Sequence, residues 1–232
     1  MGILRLHRAS KDYISDGVAV PALSDVSLEV QPGEFLALAG RSGCGKTTLL
    51  NLAGAMDFPT AGEVYLDGVL TSALGDAALA RVRREKVGFI FQSFQLLPTL
   101  SVVENVELPL LLGRHACARQ AALECLQWVE MDAFAHRMPY QLSGGQMQRA
   151  AIARALVHSP KLLLADEPTG NLDNATGDLI LRLLRRTVDE RKTTLVMATH
   201  SLEAAALADT IVRLRDGRVE AHSRARESSC AT

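Results

Sequence analysis

The sequence of 232 residues is poor in aromatic residues and has almost no net charge. Aromatic side chains make up 4% of the chain, so aliphatic residues must supply most of the packing in any core. The formal net charge of -1 argues against a nucleic-acid-binding protein held by bulk electrostatics. The length is enough for one large domain or two small ones, and a hydrophobic fraction of 48% is an ordinary globular balance that can fill a substantial core.

The cysteines and the N-terminus exclude further classes. None of the four cysteines forms a C-x-x-C pair, and no Cys/His spacing is typical of a zinc site. This usage favours a reduced, cytosolic setting. The sequence lacks the zones of a signal peptide, and no apolar run approaches the ~18 residues that span a bilayer. We therefore expect a soluble chain that can still dock on a partner in a membrane.

Apolar periodicity predicts strands that alternate with helices, which favours a mostly parallel sheet covered on both faces. Strands are predicted at residues 3–7, 26–30, 35–39, 62–67, 87–91, 162–165 and 194–199, with a hairpin at 211–220. Helices are predicted at residues 46–55, 116–129, 145–158 and 178–190. One domain is then expected over residues 1–220. Its parts are a core at 1–91 and 159–220, a helical insertion at about 92–158, and a polar, flexible tail at 221–232.

The segment after the predicted strand 35–39 has the pattern G-x-x-x-x-G-K-T. Glycines there let backbone N–H groups converge on phosphate oxygens, and the start of the next helix adds positive charge. Lys46 is expected to neutralise the β- and γ-phosphates of a nucleotide, and Thr47 to bind Mg²⁺. A glycine-rich turn that merely caps a helix is the alternative. The predicted nucleotide-binding residues are Gly40, Arg41, Ser42, Gly43, Cys44, Gly45, Lys46, Thr47 and Thr48.

An acidic pair, Asp166 and Glu167, follows the apolar run at residues 162–165. Ligands of open α/β sheets bind at the carboxyl ends of strands, and Gly40, Asp166 and His200 each follow a predicted strand end. Asp166 is therefore predicted to hold Mg²⁺. Glu167 points to the other side of the chain, which suits a general base for an attacking water. The alternative is a turn with two solvated acids.

A second glycine-rich segment, L-S-G-G-Q at residues 142–146, opens the helix predicted at 145–158. Ser143 and Gln146 fit a capping box, which is a sufficient structural explanation for those two residues. Capping does not require the two consecutive glycines. A helix start with bare backbone N–H groups beside a serine is again an anion site. The chain thus has two predicted anion-binding loops.

The two loops, with L-L-L-A-D-E-P at residues 162–168, resemble those of the ATP-binding subunits of ABC transporters. The resemblance covers about residues 4–220. It implies an α/β fold: a P-loop NTPase (RecA-like) core with a mostly parallel sheet, an N-terminal antiparallel β portion and an inserted helical subdomain. It also implies ATP and Mg²⁺ as cofactors, and a head-to-tail dimer. In the dimer each ATP contacts the phosphate loop of one copy and, from the second copy, Ser143, Gly144, Gly145, Gln146 and Asp173.

The resemblance assigns roles to three further residues. Tyr13 matches an aromatic that stacks on adenine, Gln92 a glutamine that contacts Mg²⁺ and the attacking water, and His200 a histidine at the γ-phosphate. The alternatives are an exposed tyrosine, a polar loop residue and a structural histidine. Residues 171–173 match the loop that crosses the dimer, where many relatives have S-A-L-D, so Asn171 departs from the pattern. The implied catalytic residues are Lys46, Gln92, Glu167 and His200, and the implied Mg²⁺ ligands are Thr47, Gln92 and Asp166.

The segment after Gln92 is rich in apolar residues where the helical insertion begins. In the family this region receives a helix of an integral membrane permease, so Phe94, Leu97 and Leu100 are candidate contacts; core packing is the alternative. This stretch and P-T-G-N-L-D at residues 168–173 resemble the lipoprotein-release and macrolide-export ATPases, while importer ATPases for amino acids share much of the pattern. The resemblance places the chain peripherally on the cytoplasmic side of the inner membrane.

Three other classes fit the sequence less well. DNA-repair or chromosome-type relatives carry coiled coils or zinc modules between the two loops, whereas only about a hundred residues separate them here. A small-molecule kinase with a phosphate loop would need neither L-S-G-G-Q nor Gln92. A nucleotide-binding regulator without activity would need neither Glu167 nor His200. The sequence therefore favours a transporter ATPase that binds no nucleic acid.

Overall fold

The computed structural model describes residues 2–224, which form two β-sheets flanked by helices. The strands are β1 (Leu4–Ser15), β2 (Val18–Val30), β3 (Phe35–Ala39), β4 (Ala61–Leu66), β5 (Val69–Leu70), β6 (Val87–Ile90), β7 (Leu162–Asp166), β8 (Thr194–Thr199), β9 (Thr210–Arg215) and β10 (Arg218–Arg224). The helices are α1 (Lys46–Ala53), α2 (Asp76–Lys86), α3 (Val102–Leu112), α4 (Ala118–Trp128), α5 (Gly144–Leu156), α6 (Asn174–Arg191) and α7 (Leu202–Ala205). None of the helices in this range has both the length and the apolar character needed to cross a bilayer.

The N-terminal sheet is antiparallel, with the strand order β2-β1-β4-β5. Its first two strands form a long hairpin around Asp16 and Gly17, whose φ angles of 50° and 78° are those that a two-residue hairpin turn needs. Both strands extend well past the predicted segments 3–7 and 26–30. Register shifts between β1 and β2 interrupt the alternation of buried and exposed side chains, so the sequence pattern revealed only the buried ends.

The central sheet has the strand order β10-β9-β3-β8-β7-β6. Its neighbouring strands run parallel from β9 to β6, and β10 pairs antiparallel with β9. Strands β3 and β8 are buried along their whole length, as expected of strands covered on both faces. The mostly parallel sheet, the antiparallel N-terminal portion and the helices after β6 confirm the predicted fold class.

The central sheet separates two hydrophobic clusters. On β3, Phe35, Ala37 and Ala39 belong to one cluster and Leu36 and Leu38 to the other, as the alternation of side chains along a strand requires. The first cluster contains apolar side chains of α3, α4, α5 and α6. The second contains those of α1 and of the N-terminal sheet. Helices α1 and α5, which begin at the two glycine-rich loops, therefore lie on opposite faces of the sheet.

Several boundaries differ from the predictions. Helix α6 begins at Asn174 rather than at residue 178, because the carboxylate of Asp173 caps it by accepting hydrogen bonds from Thr176. Helix α2 is missing from the predictions because it is largely polar, with Leu79 as the residue it buries. The predicted start of the tail at residue 221 is too early, since β10 still pairs with β9 over residues 221–224. The rest of the predicted tail lies outside the described residues.

A close approach of α5 to the central sheet depends on Gly88 in β6. A Cβ at this position would lie 2.2 Å from the carbonyl oxygen of Ala155. Because a backbone atom cannot rotate aside, we expect Gly88→Ala to lower the free energy of unfolding by about 1–3 kcal/mol. Gly75→Ala is the matched control, because its Cβ would have no neighbour within 4 Å in the part of the chain that the structure describes. Urea unfolding checks both variants, and an unchanged midpoint for Gly88→Ala contradicts the expectation.

Candidate functional site

The glycine-rich loop at residues 40–47 connects β3 to α1. Gly45 has a φ of 104°, and a Cβ on it would lie 2.6 Å from the carbonyl oxygen of Ala22. A Cβ on Gly40 would lie 2.5 Å from the carbonyl oxygen of Leu214. Both positions therefore require glycine, because the loop backbone is held closely against β2 and β9.

Lys46 lies buried at the base of this loop, with 7% of its surface exposed. Its ammonium group donates hydrogen bonds to the carbonyl oxygens of Gly40 (2.8 Å) and Arg41 (3.1 Å), and it lies 3.7 Å from Glu167 Oε1. A lysine has three N–H donors, and here oxygen atoms of the protein surround them. Phosphate oxygens that bind in the loop would replace these acceptors.

Thr47 and Asp166 meet at the end of β7. The hydroxyl of Thr47 donates a hydrogen bond of 2.8 Å to Asp166 Oδ2. Burial raises the pKa of Asp166 and the neighbouring charge of Glu167 adds to the rise, whereas the Thr47 hydrogen bond and the charge of Lys46 oppose it. The structure thus brings together two predicted Mg²⁺ ligands, one of which is a carboxylate whose charge is poorly solvated.

Glu167 faces the phosphate loop from a turn directly after β7. Its φ of 47° is uncommon for a residue other than glycine, and its N–H donates to the carbonyl oxygen of Ala198 at 3.0 Å. The side chain is 18% exposed, and its Oε2 lies 2.9 Å from His200 Nδ1. This backbone turn directs the Glu167 carboxylate between Lys46 and His200, at a conformational cost that is common in functional sites.

Gln92 follows β6 and forms a reciprocal pair with Asn171. Its Nε2 donates to Asn171 Oδ1 at 3.2 Å, and Asn171 Nδ2 donates to the carbonyl oxygen of Gln92 at 3.0 Å. A Cβ on Gly170 would lie 2.8 Å from Gln92 Nε2, so glycine makes room for this pair. The contact was not predicted from the sequence, where its one signal was the departure of Asn171 from the family pattern.

One groove of about 700 Å³ gathers most of the predicted site residues, and its volume is within the range of small-molecule sites. With Ala22, its lining residues are Arg41, Ser42, Gly43, Gly45, Lys46, Thr47, Thr48, Gln92, Asp166, Glu167 and His200. Gly40 and Cys44 line an adjoining groove beside β9 and β10. The predicted phosphate, Mg²⁺ and catalytic residues therefore meet at the carboxyl edge of the central sheet.

The L-S-G-G-Q segment is not part of the described lining of this groove. It forms the expected capping box: the Ser143 N–H donates to Gln146 Oε1 at 2.9 Å, and the Gln146 N–H donates to Ser143 Oγ at 3.4 Å. A Cβ on Gly145 would lie 2.4 Å from Thr176 Cγ2, and one on Gly144 would lie 3.2 Å from Leu172 Cδ2. The two glycines thus let α5 approach α6 closely, in addition to any role toward a ligand.

Two other predicted nucleotide contacts also lie outside the groove. Tyr13 on β1 is 40% exposed, its hydroxyl donates to Asp57 Oδ2 at 3.1 Å, and the ammonium of Lys11 lies 5.1 Å from its ring centroid. The carboxylate of Asp173 caps α6, and the hydrogen bonds from the Thr176 N–H and hydroxyl lower the pKa of Asp173. The roles of both residues toward ATP stay predictions.

The predicted permease segment is held in place by two polar side chains. Phe94 and Leu100 are half-buried and Leu97 is 43% exposed. Arg154 on α5 donates to the carbonyl oxygen of Phe94 at 2.9 Å. The buried amide of Asn105 on α3 accepts from the Leu97 N–H at 2.7 Å and donates to the carbonyl oxygens of Leu97 and Leu100. The segment therefore presents a fixed backbone with an exposed leucine.

Three polar residues near the site were not among the predicted site residues: Asn105, Gln148 and Arg154. Asn105 and Gln148 are fully buried, and burial lowers the pKa of Arg154. Each bonds to a loop backbone near the site rather than to another side chain. A polar residue on an otherwise apolar helix face was the available signal, and periodicity alone attaches no role to it.

A lysine-bearing phosphate loop at one strand end, with an acidic pair, a glutamine and a histidine at neighbouring strand ends, defines a P-loop nucleotide hydrolase. Residues 23–170 match the family model described as ABC transporter. The chain belongs to the ABC transporter family, as one of its ATP-binding and ATP-hydrolysing subunits. This result confirms the family predicted from the two loops.

Similar proteins cover nearly the whole chain. It is 44% identical over 230 residues to an uncharacterized ABC transporter ATP-binding protein of Methanocaldococcus jannaschii, covering 97% of this chain and 98% of that protein. It is 46% identical over 229 residues to the lipoprotein-releasing system ATP-binding protein LolD of Anaeromyxobacter dehalogenans, with coverages of 97% and 95%. Identity to the macrolide export ATP-binding/permease protein MacB of Rhodopirellula baltica is 44% over 231 residues, which is 98% of this chain but 34% of MacB.

The fold is also similar to solved structures. A dimeric structure of the same Methanocaldococcus cassette, in a post-hydrolysis state bound to ADP and Pi, matches with a TM-score of 0.89 and 43% identity. The match covers 96% of this chain and 99% of that one. At this identity and coverage, the similarity confirms the predicted fold class and the predicted ATPase subunit.

Proposed function

We propose that two copies of the chain hydrolyse Mg·ATP between them and so drive a membrane permease. The observation that carries this proposal is the arrangement of Lys46, Asp166, Glu167 and His200 around one groove. Lys46 neutralises the β- and γ-phosphates, and Glu167 accepts the proton of the attacking water. His200, 2.9 Å from Glu167, contacts the γ-phosphate from the neighbouring strand end. Catalysis of this kind depends mainly on positioning and on charge neutralisation.

The donor atoms at the end of β7 suit Mg²⁺, which prefers oxygen ligands and retains some of its water. Thr47 Oγ1 and Asp166 Oδ2 lie 2.8 Å apart, and Gln92 lines the same groove. A nearby cation favours the charged form of Asp166, whose pKa burial raises. When bound, the ion neutralises charge on the phosphate oxygens. The side-chain oxygen of Gln92 is the atom that suits the ion, whereas its Nε2 donates to Asn171.

The second copy supplies the remaining contacts to each ATP. The helix starts at α1 and α5 both suit anions, but the two helices lie on opposite faces of the central sheet. One ATP therefore meets the phosphate loop of one copy and the α5 start of the other. The dimeric cassette that was solved with ADP and Pi supports this assembly. The residues proposed to act across the dimer are Ser143, Gly144, Gly145, Gln146 and Asp173.

The membrane partner is a permease of the lipoprotein-release or macrolide-export type, supported by the similarity to LolD and MacB. It docks on Phe94, Leu97 and Leu100, and the ATPase lies at the cytoplasmic face of the cell membrane. The helical insertion at about 92–158 carries both this segment and L-S-G-G-Q, while the core at 1–91 and 159–220 carries the phosphate loop. Permease movement and dimer closure thus act on the same subdomain. An importer for amino acids is the second candidate.

Leu97→Glu tests the proposed permease contact. The charge would enter an apolar contact, so we expect the variant to lose most permease-stimulated ATPase activity while its activity without permease stays within twofold of wild type. Leu179→Glu is the matched control, because Leu179 on α6 is similarly exposed at 48% and lies outside the proposed contact. Steady-state ATPase assays with and without reconstituted permease measure both variants.

The choice of partner decides between the two transporter types. The test is to co-express the chain with permeases that have four membrane-spanning helices and a large periplasmic domain, and separately with compact importer permeases. Co-purification and ATPase stimulation by the first kind support the proposal. Stimulation only by a compact importer permease with its binding protein contradicts it.

A further inference from the structure

Gln148 lies in the second turn of α5 and is fully buried. Its Nε2 donates a hydrogen bond of 2.7 Å to the carbonyl oxygen of Pro168 and one of 3.4 Å to the carbonyl oxygen of Phe91. Both acceptors are carbonyl oxygens, which fixes the orientation of the side-chain amide. Gln148 therefore uses both of its side-chain donors on the backbone of two other segments.

These two carbonyl groups stand next to catalytic residues. Phe91 precedes Gln92 at the end of β6, and Pro168 follows Glu167 at the end of β7, with β6 and β7 paired as neighbouring parallel strands. The side chain of Gln148 thus links α5 to the backbone just before Gln92 and to the backbone just after Glu167.

The same helix begins at Ser143, in the capping box of L-S-G-G-Q. A helix of this length moves as a rigid body, so a side chain fixed in its second turn also fixes its first turn. Gln148 therefore connects Gln92 and Glu167 to the L-S-G-G-Q segment, which faces the partner subunit in the proposed dimer.

The glutamine at position 148 has a cost in stability, so packing alone does not explain why this residue type is present. Gln148 Oε1 is buried and has no hydrogen-bond partner among the described residues. A buried polar atom without a partner is destabilising, and an apolar side chain of the same length would avoid that cost. An apolar side chain could not donate hydrogen bonds to the carbonyl oxygens of Phe91 and Pro168.

We propose that Gln148 is a positioning residue for ATP hydrolysis. It holds Gln92 and Glu167 at a fixed distance from the start of α5. When two copies close, the catalytic residues of one copy are then correctly placed relative to the L-S-G-G-Q segment of the other. The inference rests on the proposed function, in which Gln92 and Glu167 act on the γ-phosphate and α5 acts across the dimer. Gln148 itself touches no reacting atom.

Two substitutions separate positioning from packing. Gln148→Met keeps the length of the side chain but removes its donors. Gln148→Glu keeps the shape but places an oxygen opposite two carbonyl oxygens. We expect kcat for ATP hydrolysis to fall on the order of 10- to 100-fold in Gln148→Met and further in Gln148→Glu, because small misplacements of catalytic groups have effects of this size. The ATP affinity should change by less than about threefold, because Lys46 and its loop are untouched.

Gln120→Met is the matched control, since Gln120 lies exposed on α4 and, within residues 2–224, its side chain bonds to Glu124 one turn along the same helix. The measurements are kcat, the Kd for ATP and the thermal midpoint of each variant. A kcat within twofold of wild type for Gln148→Met, with a lowered midpoint, overturns the proposal and leaves Gln148 as a packing residue. A wild-type chain without turnover contradicts the proposed function instead, so the two failures are distinguishable.

If neither variant folds, the wild-type chain still provides a test. The side-chain NH₂ resonances of Gln148 should be protected from solvent exchange and should shift when a non-hydrolysable ATP analogue closes the dimer. Protected resonances that shift support the connection. Rapid exchange, or resonances that do not change on closure, overturn it.

Discussion

Glu167→Gln is expected to bind ATP with near wild-type affinity and to hydrolyse it about 10²–10⁴-fold more slowly. The amide has nearly the shape of the carboxylate, so the contact with His200 at 2.9 Å can persist. It cannot accept the proton of the attacking water. It also removes a negative charge 3.7 Å from Lys46, which leaves the ammonium free to bind phosphate. The variant should accumulate as an ATP-bound dimer, which size-exclusion chromatography with Mg·ATP detects beside the turnover assay.

Two further variants make this result specific. Glu203→Gln removes an exposed acid on α7 outside the ATP groove and should leave turnover unchanged. Lys46→Ala removes the phosphate ligand and should weaken ATP binding itself, so no dimer accumulates. Near-normal turnover in Glu167→Gln removes Glu167 from the role of general base.

Ser143→Arg is expected to retain ATP binding and to lose hydrolysis by about 10²-fold or more. Ser143 is exposed at the start of α5, so a longer side chain can extend into solvent in a single copy. In the proposed dimer the arginine fills the space beside the γ-phosphate in the composite site formed with the partner's phosphate loop, and so removes the contact across the dimer at that site. The lost N-cap lowers stability by about 1 kcal/mol, which is too little to unfold the chain. Nucleotide-binding and ATPase assays separate the two effects.

Ser101→Arg provides the control for lost capping, because Ser101 caps α3 with its own capping box and lies far along the chain from L-S-G-G-Q. A mixed dimer then tests whether the sites are shared. When Ser143→Arg copies are mixed with Lys46→Ala copies, one composite site loses both contacts and the other keeps both. Turnover that reappears on mixing supports sharing. Two inactive variants that stay inactive when mixed indicate sites built within single copies.

Most of the central groove could be predicted from the sequence because its parts carry local signals. A phosphate loop needs glycines at fixed spacing, and buried parallel strands have continuous apolar runs, so Gly40, Asp166 and His200 could be placed at strand ends in advance. The fold rule that ligands bind at those ends then brought them to one edge. Asp166 and His200 line one groove, and Gly40 lines the adjoining groove together with His200.

The features that the sequence did not reveal depend on contacts between distant segments. The pair of Gln92 with Asn171 and the bonds of Gln148 join residues whose patterns are independent of each other. The predicted start of α6 was too late because Asp173 caps the helix, and an aspartate at a helix cap has the same sequence signal as an aspartate in a loop. The outer ends of β1 and β2 lack an alternation of buried and exposed side chains, because all their residues next to the turn are exposed. In each case contacts in the folded chain select one of several local structures that the sequence pattern does not distinguish.

The placement of α1 and α5 on opposite faces of the central sheet has a consequence for stoichiometry. In the proposed dimer each copy contributes two unlike half-sites, which begin helices on opposite faces of its central sheet. A two-fold rotation matches each half-site with its complement in the other copy, so both composite sites form in a single closure. Such an assembly is saturated at two copies and leaves no free half-site to recruit a third. In the proposed dimer nucleotides are therefore enclosed in pairs, and closure should follow the square of the concentration of ATP-loaded chain.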